Sequence, residues 1–391
     1  MSDFDYLKSG DIYLDSACQS LRPRPVINAL NQYYETHNSC GERVKYNWGV
    51  ETDRKVEETR KKVLKFLKLK SKDYFVSFTL NTTYGINLIL SQLDVEKLGI
   101  RKVITSDIEH NSVFLPTISF ANNHHLERKV VKRNPDGSLP EDVDYDHALV
   151  IVNSICNFDG RRLENIKSLT KTIHKQHGIL IIDAAQGMAH DSDLLHKTDA
   201  DAICFSAHKM YSASLGGIIM KRNLIPFIKT SFVGGGMVDD VKKDDFVLSA
   251  GTNPDHAHTL FEPGLQAWGE IVALGAAIDW LNERSKSEKA ELYARAERLF
   301  NALSSHKKLH VLNRTATPTI SFYVDKKETG FDSHVLGAAL ADEHIMARTG
   351  YFCAHYYLGH VKHYPPLVRF SLGYHITDDD IDKIINSIEK L

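Results

Sequence analysis

The chain has 391 residues, with 48 Lys and Arg against 50 Asp and Glu and a formal net charge of −2. That length exceeds one ordinary domain, and the near-neutral balance provides no long-range field for nucleic acid or an anionic membrane. No apolar run approaches the ~20 residues that span a bilayer, and the acidic opening MSDFDYLKSG does not suit a signal peptide.

The five cysteines, Cys18, Cys40, Cys156, Cys204 and Cys353, are scattered and show no C-x-x-C spacing. That argues against a disulfide framework and a structural zinc site, and makes a reducing cytoplasm the expected location.

In chain order, Val56, Val63 and Leu67 recur at helical spacing within a charged stretch and predict an amphipathic helix. Its basic cluster, Arg60, Lys61, Lys62 and Lys65, reads as a solvated face. A short strand is predicted at 74–78 and a helix at 83–93. Further strands are expected at 102–106, 148–153, 179–183, 202–206 and 217–220, with helical patterns such as 163–176 between them. Alternation of this kind predicts a mostly parallel sheet flanked by helices. After Pro263-Gly264 the texture changes to helices at 268–281 and 286–303, then a strand at 319–324 and a mixed tail. The expected division is a large domain over 1–263 and a smaller C-terminal α+β domain over 264–391.

Ligands in open α/β sheets sit at the carboxyl ends of the strands. Four expected strand ends carry polar residues. Asn81-Thr82-Thr83 offers hydroxyls and backbone N–H groups at a helix start, which suits an anion, although helix capping alone would also explain it. His110 follows the second strand and could stack on an aromatic ligand or carry protons. Asp183, after Ile179-Leu180-Ile181-Ile182, either caps a turn or holds a proton on a pyridine nitrogen. Lys209, in Ser206-Ala207-His208-Lys209, is costly behind a buried strand unless it is paired or put to use. Desolvation would lower its pKa and favour imine formation.

With Ser206-Ala207-His208-Lys209 twenty-six positions after Asp183, the chain resembles the class V aminotransferase family of fold-type I pyridoxal-phosphate enzymes. The match begins at Ile12-Tyr13-Leu14-Asp15-Ser16-Ala17. Within the family it is most similar to the SUF-type cysteine desulfurases. Arg348-Thr349-Gly350-Tyr351-Phe352-Cys353-Ala354 resembles their active-site motif, and Val368-Arg369-Phe370 resembles the strand that holds the substrate carboxylate.

The resemblance implies roles residue by residue. Lys209 would hold the cofactor covalently and move the substrate Cα proton, with His110 on the ring. Asp183 would meet the pyridine nitrogen and Gln186 the phenolic oxygen. Thr82, Thr83, Ser206 and His208 would hold the phosphate, and Asn157 would lie near cofactor and substrate. Arg369 would grip the substrate carboxylate as a fork, assisted by Arg348. Cys353 would accept sulfur from L-cysteine as a persulfide, releasing L-alanine. The resemblance also implies a homodimer and a sulfur-acceptor protein, with sulfur mobilisation for iron–sulfur cluster assembly as the context. Selenocysteine lyase, another carbon–sulfur lyase, a class V aminotransferase and a non-catalytic scaffold on the same fold are the competing readings.

Three departures stand out. Tyr351 and Phe352 replace the histidines usual before the cysteine, and His355 could compensate. Leu265 stands where the family has a threonine that contacts the partner subunit's phosphate. Tyr211-Ser212-Ala213-Ser214-Leu215-Gly216 lacks the usual glycine-proline. Gly234-Gly235-Gly236 lacks dinucleotide-binding spacing, and His355, His360 and His363 match no standard zinc pattern.

Overall fold

The apolar runs between 74 and 221 assemble into one sheet, in a computed structural model that describes residues 3–41 and 44–390. The first two residues of the acidic opening and the last of the C-terminal tail lie outside that description. The strands are β1 (Tyr74–Thr79), β2 (Lys102–Ser106), β3 (Glu127–Val131), β4 (Ala148–Asn153), β5 (Ile179–Asp183), β6 (Ala202–Ser206) and β7 (Gly216–Lys221). Their spatial order is β1-β7-β6-β5-β4-β2-β3. From β3 to β6 every pairing is parallel, whereas β7 runs antiparallel to both β6 and β1. Every residue of β4, β5 and β6 is buried, which is why they read as continuous apolar runs rather than alternating ones. The edge strand β3 alternates exposed and covered residues through Glu127, Arg128 and Lys129, a charged edge that resists further pairing.

Among the described residues the longer helices are α1 (Arg24–Thr36), α2 (Asn47–Phe66), α3 (Thr82–Gln92), α4 (Asn111–Asn123), α5 (Ile166–Lys175), α6 (Trp268–Glu283), α7 (Lys286–Ser305), α8 (Ser333–Asp342) and α9 (Asp378–Glu389). One face of the sheet packs α2, α5 and α6 through Val63, Ile173 and Ile271, and the other packs α3 and α4 through Ile89 and Phe120. The basic cluster on α2 is not uniformly solvated. Arg60 is buried, its guanidinium donates to both Glu262 carboxylate oxygens at 2.7 Å, and it lies 4.7 Å over the Phe78 ring. Burial of that charge is tolerated because it is paired and hydrogen-bonded, including to the Val76 carbonyl.

The second core surrounds an antiparallel sheet of β8 (Leu309–Val311), β9 (Thr319–Val324), β10 (Arg348–Gly350) and β11 (Leu367–Ser371), in the order β8-β9-β11-β10. Helices α7, α8 and α9 cover it through Leu299, Leu336 and Ile384. Ile12 and Leu14 belong to this core, and Ile12–Tyr13 pairs in parallel with Ile345–Met346. Further along, the Ser20 N–H donates to the His208 carbonyl behind β6, so the N-terminal segment touches both cores. Helix α6, which follows the break expected at 263/264, packs into the first core through Trp268, Ile271 and Ile278.

Candidate active site

The carboxyl ends of the strands open onto one cavity of about 260 Å³, closed on the far side by the small domain. Asn81 caps α3 by accepting the Tyr84 N–H at 2.9 Å, which leaves Thr82 and Thr83 in the first turn. Thr82 Oγ1 lies 2.7 Å from Ser206 Oγ, which also accepts the Thr82 N–H. Thr83 Oγ1 lies 2.6 Å from Ser112 Oγ, so hydroxyls gather where α3 and α4 begin. A side chain at Gly216 would fall 2.4 Å from the Asn81 Cα, so this turn requires a glycine beneath it.

His110 caps α4, its Nδ1 accepting the Ser112 N–H at 3.0 Å. Burial, with Lys209 and Arg369 nearby, lowers its pKa to about 3, so the ring is neutral and carries its proton on Nε2. Behind it lies a fully buried pair, Glu109 and Arg133, at 3.2 Å. Together they hold the Asn153 backbone: Glu109 accepts its N–H at 2.7 Å and Arg133 donates to its carbonyl at 2.7 Å.

Asp183 ends β5 buried, accepting the Ala185 N–H at 2.8 Å. Burial raises its pKa while Lys209 opposes the shift. Gln186 donates to the Ala17 carbonyl at 2.7 Å, and Asn157 donates to that of Phe352 at 2.7 Å. Lys209 follows β6 on the cavity wall. Desolvation holds its ammonium below the ordinary lysine range, against the opposing pull of Asp183.

The loop after Lys209, which lacks glycine-proline, is held by other means. Ser20 Oγ accepts the Tyr211 N–H at 2.7 Å and the Ser20 N–H donates to the His208 carbonyl. Tyr211 adopts φ +61° and packs on Trp280 with ring centroids 4.8 Å apart.

The small domain contributes Arg369 from β11. It donates to the Asn157 carbonyl at 3.0 Å and to Asp15 Oδ1 at 2.7 Å, and lies 4.8 Å over the Phe352 ring. Arg348 turns toward Cys18, donating to Sγ at 3.3 Å, with Asp15 Oδ2 at 3.5 Å. Cys353 is exposed, and both it and Phe352 adopt left-handed backbone, with φ +58° and +48°. Its carbonyl accepts the Asn111 N–H at 2.6 Å. His355 Nδ1 lies 3.3 Å from Asn111 Nδ2, beside His110 in sequence.

All twelve residues expected from the sequence line this cavity. Asp15 was named there only as part of a motif string, and Cys18, Ser112 and the Glu109–Arg133 pair were not singled out.

Residues 12–384 match the family model described as aminotransferase class-V. The chain belongs to the aminotransferase class-V family. Among curated members, it is 27% identical to a probable cysteine desulfurase of Borreliella burgdorferi, over 97% of this chain and 91% of that protein. It is 26% identical to a cysteine desulfurase of Escherichia coli O157:H7, over 97% and 93%. Of solved structures, the cysteine desulfurase CsdA of Escherichia coli, in an S-sulfonic acid form, superposes with a TM-score of 0.87 at 21% identity, covering 99% of this chain and 96% of that one.

The cavity wall suits the pyridoxal phosphate of this family. Asn157 Oδ1, Gln186 Oε1 and Arg369 Nε are buried there without any hydrogen-bond partner. Orphaned buried polar atoms are costly, so three on one wall point to a polar ligand. Hydroxyls at the α3 N-terminus suit a phosphate, and Lys209 with Asp183 suits a pyridine aldehyde.

Proposed function

We propose that this chain is a cysteine desulfurase: it removes sulfur from L-cysteine, releases L-alanine and carries the sulfur as a persulfide on Cys353. The observation that carries this reading is the position of Cys353, an exposed thiol on the wall of the cavity that also holds Lys209 and Arg369. The names of the curated relatives support it.

Thr82, Thr83, Ser206 and His208 would hold the cofactor's phosphate. Asp183 would meet its ring nitrogen and Gln186 its phenolic oxygen, through the unpartnered Oε1. Asn157 would lie at its edge and His110 on its face. When bound, pyridoxal phosphate supplies an electron sink next to the substrate's amino group.

The chain's own groups perform the remaining work. Lys209, its amine made available by desolvation, takes the proton from the substrate Cα. Arg369 presents Nε as its uncommitted edge toward the substrate carboxylate, and Arg348 adds positive charge at the mouth. The left-handed backbone of Phe352 and Cys353 holds Sγ out of the small domain's core, where it attacks the substrate sulfur. That bond forms as the substrate C–S bond breaks with its electron pair going to Cβ. Cβ takes the proton that the Cys353 thiol gives up, and Cα recovers the proton held by Lys209 to give alanine.

A homodimer forms through the segment around the Val238–Val241 and Phe246–Leu248 hairpin. Phe232, Val233, Val241, Phe246 and Leu265 are exposed there, and the Gly264 N–H donates to the Gly235 carbonyl at 2.8 Å, joining the two loops. A sulfur-acceptor protein would draw sulfur from the exposed Cys353.

Product analysis tests the reading. Incubation of the holoenzyme with L-cysteine and a thiol reductant yields alanine and sulfide in equal amounts. Pyruvate as the product would instead identify a β-eliminating lyase.

A further inference from the structure

Cys353 shares its cavity with a second thiol that the proposed reaction does not use. Cys18 lies on the same wall, in the N-terminal segment that touches both cores. The loop is fixed on each side. Asp15 accepts from Arg369 at 2.7 Å, the Ala17 carbonyl accepts from Gln186, and Ser20 donates to the His208 carbonyl. Arg348 donates to Cys18 Sγ at 3.3 Å, which fixes the sulfur beside a guanidinium. Arg348 also begins the strand that leads into Cys353. Arg369 Nε, buried and unpartnered in the same cavity, is the edge that the proposed reaction gives to the substrate carboxylate, so Cys18 faces the space where the substrate would lie.

We propose that Cys18 is a second sulfur carrier, which takes the terminal sulfur from the Cys353 persulfide. This rests on the desulfurase reading and extends it. In the step, the Cys18 thiolate attacks the outer sulfur of the Cys353 persulfide. A new S–S bond forms at Cys18, the old one breaks, and its electron pair stays on Cys353 as thiolate. No oxidant or reductant is consumed, because sulfane sulfur moves between two thiols of equal oxidation state. The guanidinium of Arg348 offsets the negative charge gathered between the two sulfurs. The consequence is that Cys353 becomes ready for a second L-cysteine before any acceptor protein has docked.

Peptide mapping of the holoenzyme after incubation with L-cysteine and alkylation tests the step. Sulfur is expected on the Cys18 peptide as well as the Cys353 peptide, and Cys353→Ser should leave Cys18 bare. Sulfane sulfur per chain should fall from two to one in Cys18→Ser, with the remaining atom on Cys353. Arg348→Gln, which keeps both thiols, should slow the appearance of sulfur on Cys18 relative to Cys353. Alanine and a Cys353 persulfide with a bare Cys18 peptide would overturn the relay and leave the desulfurase reading standing. Sulfur on Cys18 in Cys353→Ser would overturn the order of transfer. Absence of alanine and of sulfur on either cysteine would overturn both readings.

Discussion

Arg369 Nη2 donates to Asp15 Oδ1 at 2.7 Å, so the arginine expected to grip a substrate carboxylate is already held by one from the N-terminal segment. Asp15 therefore both positions the guanidinium and competes with the substrate for it. Asp15→Asn removes the only carboxylate within hydrogen-bond distance of Arg369 among the described residues. It should cost about 1–3 kcal/mol of stability by leaving a buried charge poorly satisfied. The apparent KM for L-cysteine should fall in the same variant. Urea unfolding and initial rates measure the two effects, and an unchanged KM would show that Asp15 is only structural. Arg369→Lys should act in the other direction, weakening kcat/KM by roughly tenfold or more, because an ammonium cannot reproduce the planar fork.

Lys209→Ala should abolish the long-wavelength absorbance of covalently held cofactor while the far-UV circular dichroism of the protein persists. Loss of the amine that moves the Cα proton should lower turnover by roughly 10²–10⁴-fold. Retained absorbance would mean that another amine attaches the cofactor.

The strands at 148–153, 179–183 and 202–206 were legible in the sequence because full burial on both faces leaves short, largely apolar runs, and 102–106 is buried from Val103 onward. β3 was not, because its edge position allows charged residues to alternate through it. Helix α4 carries Pro116 inside it, which masked its helical pattern. The strand-end residues were legible because the fold places such positions around one site. Asp15, Cys18 and Arg133 were harder to assign: their roles arise from pairings with Arg369, Arg348 and Glu109 that no local pattern encodes. Arg60 shows the same limit, since its burial depends on Glu262, far along the chain.

Four histidines should dominate the mildly acidic stability of the protein. Burial lowers His110 and His258 to about 3 and His190 and His208 to about 4, aided by Lys209 in three cases and by Arg60 at His258. Each binds fewer protons folded than unfolded, so its contribution is present in full above the unfolded pKa of about 6.5 and is lost as pH falls toward the folded values. Unfolding free energy should therefore decline from pH 6.5 to 5, partly offset by Glu109, whose carboxyl burial raises to about 7 and which gains stability as pH falls. Stability that stays flat across that window would show that these rings are not buried neutral.

Leu265 is 74% exposed in the single chain, at the position where the resemblance implies a threonine reaching the partner subunit's phosphate. If the proposed dimer brings it to the neighbouring site, Leu265→Thr should restore one charge-assisted hydrogen bond. The gain would be about 1.5–3 kcal/mol in cofactor affinity, at least tenfold. Leu265→Asp should instead weaken dimerisation by placing a charge in an apolar contact, which analytical ultracentrifugation would detect. Neither change would follow if the segment faced solvent in the assembly.

Cys353 distinguishes a desulfurase from the rest of the family. A packing role, the ordinary fate of a free cysteine, does not fit a thiol that is exposed and carried on left-handed backbone at φ +58°. The Asn111 N–H and the Asn157 side chain hold the flanking carbonyls, so the loop should keep its shape when the sulfur is replaced. Cys353→Ser should still bind the cofactor and give the same spectral change with L-cysteine as the wild type. Sulfur transfer should collapse, because a serine hydroxyl is not ionised near neutral pH and cannot carry a persulfide. Mass spectrometry of the wild type after L-cysteine should show added sulfur on the Cys353 peptide, removed by reductant. Full alanine production by the serine variant would place the chemistry elsewhere and align the chain with the lyases or aminotransferases of its family.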